Sequence, residues 1–219
     1  MRRELLHPGE LVPLPHHLDL VDALEAHAPH AADPDYFYAL RGLELAGLDP
    51  VRRAARLVFL NRTCFNGLYR VNRAGRFNVP FGRYKNPRVL HADQLRASSR
   101  ALQGVRLVVG DFTATLRAAR RGGAAYLDPP YVPRSATSTF TAYAQDRFTD
   151  DDHRRLLEAF LRLQRRGVPV LLSNSDCRFT RALYRGLRVK AVRAGRSINA
   201  VAARRGPVSE LLVHGAPTR

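Results

Sequence analysis

The chain has no tryptophan, one methionine, two cysteines and, among its 219 residues, only two lysines, Lys85 and Lys190. No run approaches the roughly 18 consecutive apolar residues of a membrane helix. The opening segment, MRRELLHPGELVPLPHH, puts charges and prolines where a secretory leader would have its apolar stretch. Cys64 and Cys177 give neither a disulfide framework nor a zinc spacing; they fit a reducing compartment and read as small core residues. A cytoplasmic protein with no membrane partner is therefore expected. Five of the eight histidines lie between His7 and His30. No cysteine or acid accompanies them at ligand spacing, so no metal is expected.

What is present suffices for folding. Hydrophobic residues make up 45% and aromatic residues 8%, well above the composition of disordered chains. The length allows one large domain or two small ones. The 36 Lys+Arg residues against 19 Asp+Glu give a net charge of +17. Arginine carries nearly all of the positive charge, and with abundant Ala, Leu and Val this points to high-GC coding, so part of the charge is codon usage.

One local absence has another origin. Between Asp49 and Asp93 there is no acid at all, yet Arg52, Arg53, Arg56, Arg62, Arg70, Arg73, Arg76, Arg83, Lys85 and Arg88 lie there. Codon bias exchanges lysine for arginine but does not remove acids from one window. Such a field suits a phosphate backbone. Phe65, Tyr69, Phe77 and Tyr84, with Asn66, Asn72 and Asn78, alternate with the cations. Aromatics can wedge or stack, and amides can read base edges. The alternative is a solvated basic face over a small core.

Apolar spacing predicts helices over about 18–27, 35–45 and 50–60. After Asn61 the chain breaks into Asn, Gly and Pro punctuation with short β-like pieces at 68–71 and 76–79, a loop and hairpin region. From Ala92 onward helices alternate with short apolar strands: VRLVV before Asp111, AAYL before Asp128, PVLLS, LRVKAV and SELLVH. This alternation predicts a parallel α/β sheet, whose ligands bind beyond the carboxyl ends of the strands, where Asp111 and Asp128 fall.

The strand AAYL runs into Asp128-Pro129-Pro130-Tyr131. An acid followed by two prolines and an aromatic makes a rigid turn, with the carboxylate and the Pro129 carbonyl able to face one pocket. An exocyclic amine such as adenine N6 is a poor nucleophile because its lone pair is delocalised into the ring. Two acceptors on its two N–H bonds favour the tetrahedral nitrogen of the transition state. Tyr131 offers a face for an extruded base. The plain alternative is an ordinary turn after a strand.

Asn61 to Pro87 (NRTCFNGLYRVNRAGRFNVPFGRYKNP), then DPPY, Ser135 to Tyr143 (SATSTFTAY), Ser173 to Asp176 (SNSD) and Arg196 to Ile198 (RSI) resemble, in order and spacing, the Dam family of DNA adenine-N6 methyltransferases. The resemblance runs from about Leu18 to His214. It implies a Rossmann-like α/β methyltransferase domain using S-adenosylmethionine, and a helical and hairpin target-recognition domain on double-stranded DNA, typically at GATC. The expected layout is an irregular segment at 1–16, the recognition domain at 17–91 and the catalytic domain at 92–219. The resemblance assigns Asp128, Pro129, Pro130 and Tyr131 to catalysis, and Asp111, Phe112 and Asp128 to the methyl donor. Phe65 takes the place of an aromatic wedge. Asn66, Leu68, Arg70 and Pro80 would meet base edges, while Arg62, Arg83, Tyr84 and Lys85 would grip the backbone.

The family's usual opening, a Lys-Trp-x-Gly-Gly-Lys segment with a Phe-x-Gly-x-Gly loop, does not occur; Gly122-Gly123 is the one pair of adjacent glycines. The sheet is therefore expected to be incomplete at its amino-terminal side. Two functions are compatible with that: a site-specific adenine methyltransferase, monomeric or completed by a complementary polypeptide, and an inactive DNA-binding remnant. Cytosine-C5 chemistry is disfavoured, because neither cysteine follows a proline.

Overall fold

The computed structural model describes residues 17–134, 148–195 and 207–215. The expected irregular segment 1–16 and the motifs at 135–143 and 196–198 lie outside the described residues. The described residues divide into two compact units, 17–107 and 108–215.

The first unit is helical. Helix α1 (His17–His27), α2 (Pro34–Gly42), α3 (Pro50–Thr63) and α4 (Ala92–Ala101) frame it. Two helices start by the same device, an aspartate cap followed by proline at the first position. Asp33 accepts from the amides of Asp35 and Tyr36, and Asp49 from that of Arg52. Phe37, Phe59, Leu60 and Cys64 form the core with Phe77, Val79 and Val89, so Cys64 is the buried core residue expected. α4 packs against α1 within this unit, although the sequence pattern changes at its first residue.

The predicted hairpin exists in minimal form. Isolated bridges join Cys64 to Phe81 and Val71 to Phe77. The turn is closed by Asn72, whose side chain accepts from the amides of Ala74 and Arg76, each at 3.0 Å.

The second unit is a mixed sheet flanked by helices. Helix α5 (Phe112–Arg117) precedes β1 (Ala125–Leu127), α6 (Asp150–Arg165), β2 (Val170–Ser175), α7 (Arg178–Leu183), β3 (Arg188–Gly195) and β4 (Pro207–Gly215). The strand order is β1-β2-β4-β3. β1 and β2 are parallel, joined through α6, whereas β4 is antiparallel to both β2 and β3. The all-parallel sheet expected from the alternation is therefore corrected. No helix precedes β4 among the described residues, and a strand pair without a long crossover connects most readily as antiparallel neighbours. The predicted strand at 105–109 forms no strand of this sheet, and Val105, Val108 and Val109 stand 40–46% exposed. An apolar run becomes a strand only where a neighbour completes its ladder.

Helix α6 presents Leu156, Ala159, Phe160 and Leu163 at helical spacing to the sheet, against Leu172, Leu211 and Val213. The fit leaves no slack: a Cβ on Gly215 would lie 2.8 Å from the Phe160 ring. A Thr149–Asp152 capping box starts the helix. No helix among the described residues is long and apolar enough to cross a membrane.

Candidate active site and nucleic-acid interface

In the second unit, Asp128 follows the last residue of β1, at the carboxyl end of the strand. Its Oδ1 accepts from Ser173 Oγ at 2.7 Å, and Ser173 Oγ in turn accepts from Tyr126 O–H at 3.0 Å. Pro129 is buried, while Asp128, Pro130 and Tyr131 are exposed. Tyr131 O–H lies 3.5 Å from Glu210 Oε2, the outer limit of a hydrogen bond. Burial pushes its phenol up, opposed by a bond with Ser173 and reinforced by the charges of Glu210 and Asp128, so the ring is neutral at neutral pH.

The loop is tied down two residues further on. The Val132 amide donates to Asn174 Oδ1 at 3.1 Å, and Ser175 Oγ donates to the Val132 carbonyl. Asn174 Nδ2 donates to Tyr184 Oη at 3.1 Å and lies 3.4 Å from His153 Nδ1. Burial drives the Tyr184 phenol up to about 12 and pushes the His153 imidazole down. A cleft of about 290 Å³ opens beside the loop, lined by Val132, Pro133, Phe148, Thr149, Asp150 and His153. A larger one, about 440 Å³ between α5 and α6, touches no residue of the loop.

Contrary to the expectation from the sequence, Asp111 does not end a strand but caps the start of α5. Its Oδ1 caps α5 by accepting from the Thr113 amide and hydroxyl, and its Oδ2 pairs with Arg155 Nη2 at 2.8 Å. The Thr113 hydroxyl first, then Arg155, hold its carboxyl down at about 2. Arg155 also lies 5.2 Å over the Phe112 ring. Both carboxylate oxygens of Asp111 are thus already engaged, and Phe112 packs on the core. Among the described residues no group of acids, histidines and cysteines could hold a metal.

In the first unit, α3 ends in a tight turn, Phe65–Gly67, in which Asn66 takes a left-handed backbone (φ 55°). Asn61 Nδ2 locks it by donating to the Gly67 carbonyl at 2.7 Å. The Phe65 amide donates to the Pro80 carbonyl at 2.9 Å. Two residues predicted to face DNA are thus neighbours across the hairpin, with the Phe65 side chain 45% exposed. Gly82 makes the approach possible, since a Cβ there would lie 2.5 Å from the Cys64 carbonyl oxygen. Leu68 is half-buried against the core. Arg70 donates through Nε to Asn78 Oδ1 at 2.7 Å and through Nη2 to the Asn78 carbonyl at 3.1 Å.

Eight other cations of the acid-free window separate into groups. Arg56 is buried and donates to the carbonyls of Leu40 and Arg41 at the end of α2, so it serves the fold. Arg52 pairs with Asp49, and Arg76 with Glu44. Arg53 and Arg88 donate to the backbone carbonyls of Leu48 and Leu90. Arg62, Arg83 and Lys85 stand exposed, with Tyr84 41% exposed beside them.

The model of the D12 class N6 adenine-specific DNA methyltransferases matches residues 16–198. The chain belongs to this family. A type II methyltransferase of Methanocaldococcus jannaschii is 43% identical over 75% of the chain and 58% of its own length. Another from Lactococcus lactis subsp. cremoris is 37% identical over 82% and 65%. A DNA adenine methylase of Escherichia coli K12 is 37% identical over 87% and 68%. The chain thus spans roughly three fifths to two thirds of the relatives it matches. Within the site, sequence reasoning passed over Ser173, Asn174 and Ser175 as chemistry. The available signal was three successive polar residues closing an otherwise apolar strand.

Proposed function

We propose that the chain is the part of a site-specific DNA methyltransferase that binds duplex DNA and moves a methyl group from S-adenosylmethionine to adenine N6, with GATC as target. The observation that carries this reading is the loop at 128–132. An exposed carboxylate ends a parallel strand, with one oxygen fixed by Ser173 and no described residue bonded to the other. Asp128 Oδ2 and the Pro129 carbonyl accept the two N6 hydrogens. The nitrogen lone pair forms the bond to the methyl carbon as the carbon–sulfur bond breaks, and its electrons neutralise the sulfonium. The N6 cation then gives up a proton, through Asp128 Oδ2, to solvent water. Acceptors already aimed at the developing positive charge lower the barrier, because they need not reorganise.

The target base leaves the helix, stacks against Tyr131 and is replaced in the duplex by Phe65. Arg70, its guanidinium set by Asn78, reads a guanine; Asn66, Leu68 and Pro80 line the same surface. Arg62, Arg83, Tyr84 and Lys85 hold the phosphates. Asp111 reaches the donor's adenosine only by exchanging its bond to Arg155.

A second reading is a chain that binds DNA but transfers methyl groups only when another polypeptide completes its sheet. It is favoured by β1, three residues long, at the end of the strand order, with Tyr126 61% exposed. Incubation with tritiated donor and duplexes carrying GATC, or GATC changed at one base, tests both. Label on adenine in the intact site alone is expected. DNA affinity without label selects the second reading, and neither binding nor label overturns both.

A further inference from the structure

Three successive polar side chains at the end of β2 are buried: Ser173 at 2%, Asn174 at 0% and Ser175 at 4% exposed. Burying polar groups is costly unless each is hydrogen-bonded. Here the bonds converge on one target. Ser173 donates to Asp128, Asn174 accepts from the Val132 amide and Ser175 donates to the Val132 carbonyl. Side chains alternate across a strand, so Val132 is gripped from both faces of β2. The middle residue is itself anchored, by Tyr184 and His153.

We infer that Ser173-Asn174-Ser175 is a positioning element for the catalytic loop, with Ser173 setting which oxygen of Asp128 faces the amine. The inference rests on the proposed reaction. A free carboxylate rotates and offers either oxygen. Ser173 Oγ, oriented by the Tyr126 hydroxyl it accepts from, has its own hydrogen directed to Oδ1, which leaves Oδ2 for the substrate. The Asn174–Ser175 clamp then fixes the far end of a segment that the three prolines 129, 130 and 133 already stiffen.

Two measurements on the full chain separate the outcomes. Single-turnover methyl transfer by Ser173→Ala should be slower by about tenfold to a hundredfold, the scale of a lost alignment. DNA affinity should stay within about twofold, since no DNA contact is removed. Ser173→Thr, which keeps the hydroxyl, should recover most of the rate. An unchanged rate in the alanine variant, or an equal fall in both variants, overturns the inference while leaving the proposed reaction intact. The second readout needs no activity. Tyr131 and Val132 carry the only amides between Pro129 and Pro133, and Val132 is expected to exchange slowly in the wild type. Ser175→Ala should speed it by about tenfold with the β2–β4 amides unchanged. Fast exchange of Val132 in the wild type, or no change in the variant, overturns the clamp even in a chain that transfers nothing by itself, and leaves the choice between the two readings of the function to the labelling experiment.

Discussion

The two units handle polar groups in opposite ways. In the helical unit the cations and aromatics proposed to meet DNA stand exposed, and the one buried charged residue among the described residues, Arg56, holds two helices together. In the sheet unit Ser173, Asn174 and Ser175, at the strand end beside the candidate chemistry, are buried and connect groups in series, from Tyr184 through Asn174 to Val132 and from Tyr126 through Ser173 to Asp128. On the proposed function, the difference follows from the task of each surface. Holding a polyanion needs charge delivered to solvent, where screening makes each contact modest and replaceable. Accepting two hydrogens from one nitrogen needs acceptors held to fractions of an ångström, which takes support from behind.

The sharpest test of this contrast is Asp128→Ala. Methyl transfer should fall on the order of a thousandfold, as for loss of a preorganised transition-state partner. DNA affinity measured by fluorescence anisotropy should barely move. Near-normal transfer by that variant would remove Asp128 from the mechanism.

Within the helical unit, Arg56→Met and Arg83→Ala should part company. The first leaves the ends of two buried hydrogen bonds unmatched, and by the usual cost it should lower stability by about 2 kcal/mol in urea unfolding. Arg83→Ala should leave stability within about 0.5 kcal/mol. It should instead reduce the slope of log affinity against log salt by about 0.9 on every sequence. Equal unfolding effects would erase the division between structural and DNA-facing cations.

The smallest effect is a pH dependence. Burial lowers the His153 imidazole below its ordinary 6.5, so the unfolded chain takes up a proton before the folded one does. Its contribution to stability is therefore complete above about pH 6.5 and is lost as the pH falls from there to the folded value. The neutral ring faces Asn174, Phe148 and Phe179, with Asp150 and Asp152 on its own helix opposing the shift. His153→Gln should flatten the acid side of the stability profile below about pH 6.5. A profile identical to wild type would show that this buried ring is not what couples the sheet unit to pH.

Much of the architecture was legible from residue order. The helices expected over 18–27, 35–45 and 50–60 and the hairpin region after Asn61 are local, so their signals lie within a few residues of the structure they cause. Long-range pairing was not. VRLVV and AAYL look alike as sequence, but only the second forms a strand of the described sheet, paired with β2. LRVKAV and SELLVH read as further members of a parallel sheet, while the connection between them makes antiparallel partners and places β4 between β2 and β3.

The sequence by itself determined the chemistry on offer: an acid-free basic window, a carboxylate ahead of two prolines and an aromatic, and no metal spacing. Composition and local spacing suffice for these because each depends on residue type. Tertiary structure alone decided which groups are spent. It buried Arg56 under the end of α2, engaged both oxygens of Asp111, and brought Ser173 to Asp128 across 45 residues of chain. A hydrogen bond depends on distance and direction, and those are fixed only once the strands have paired and the helices have packed.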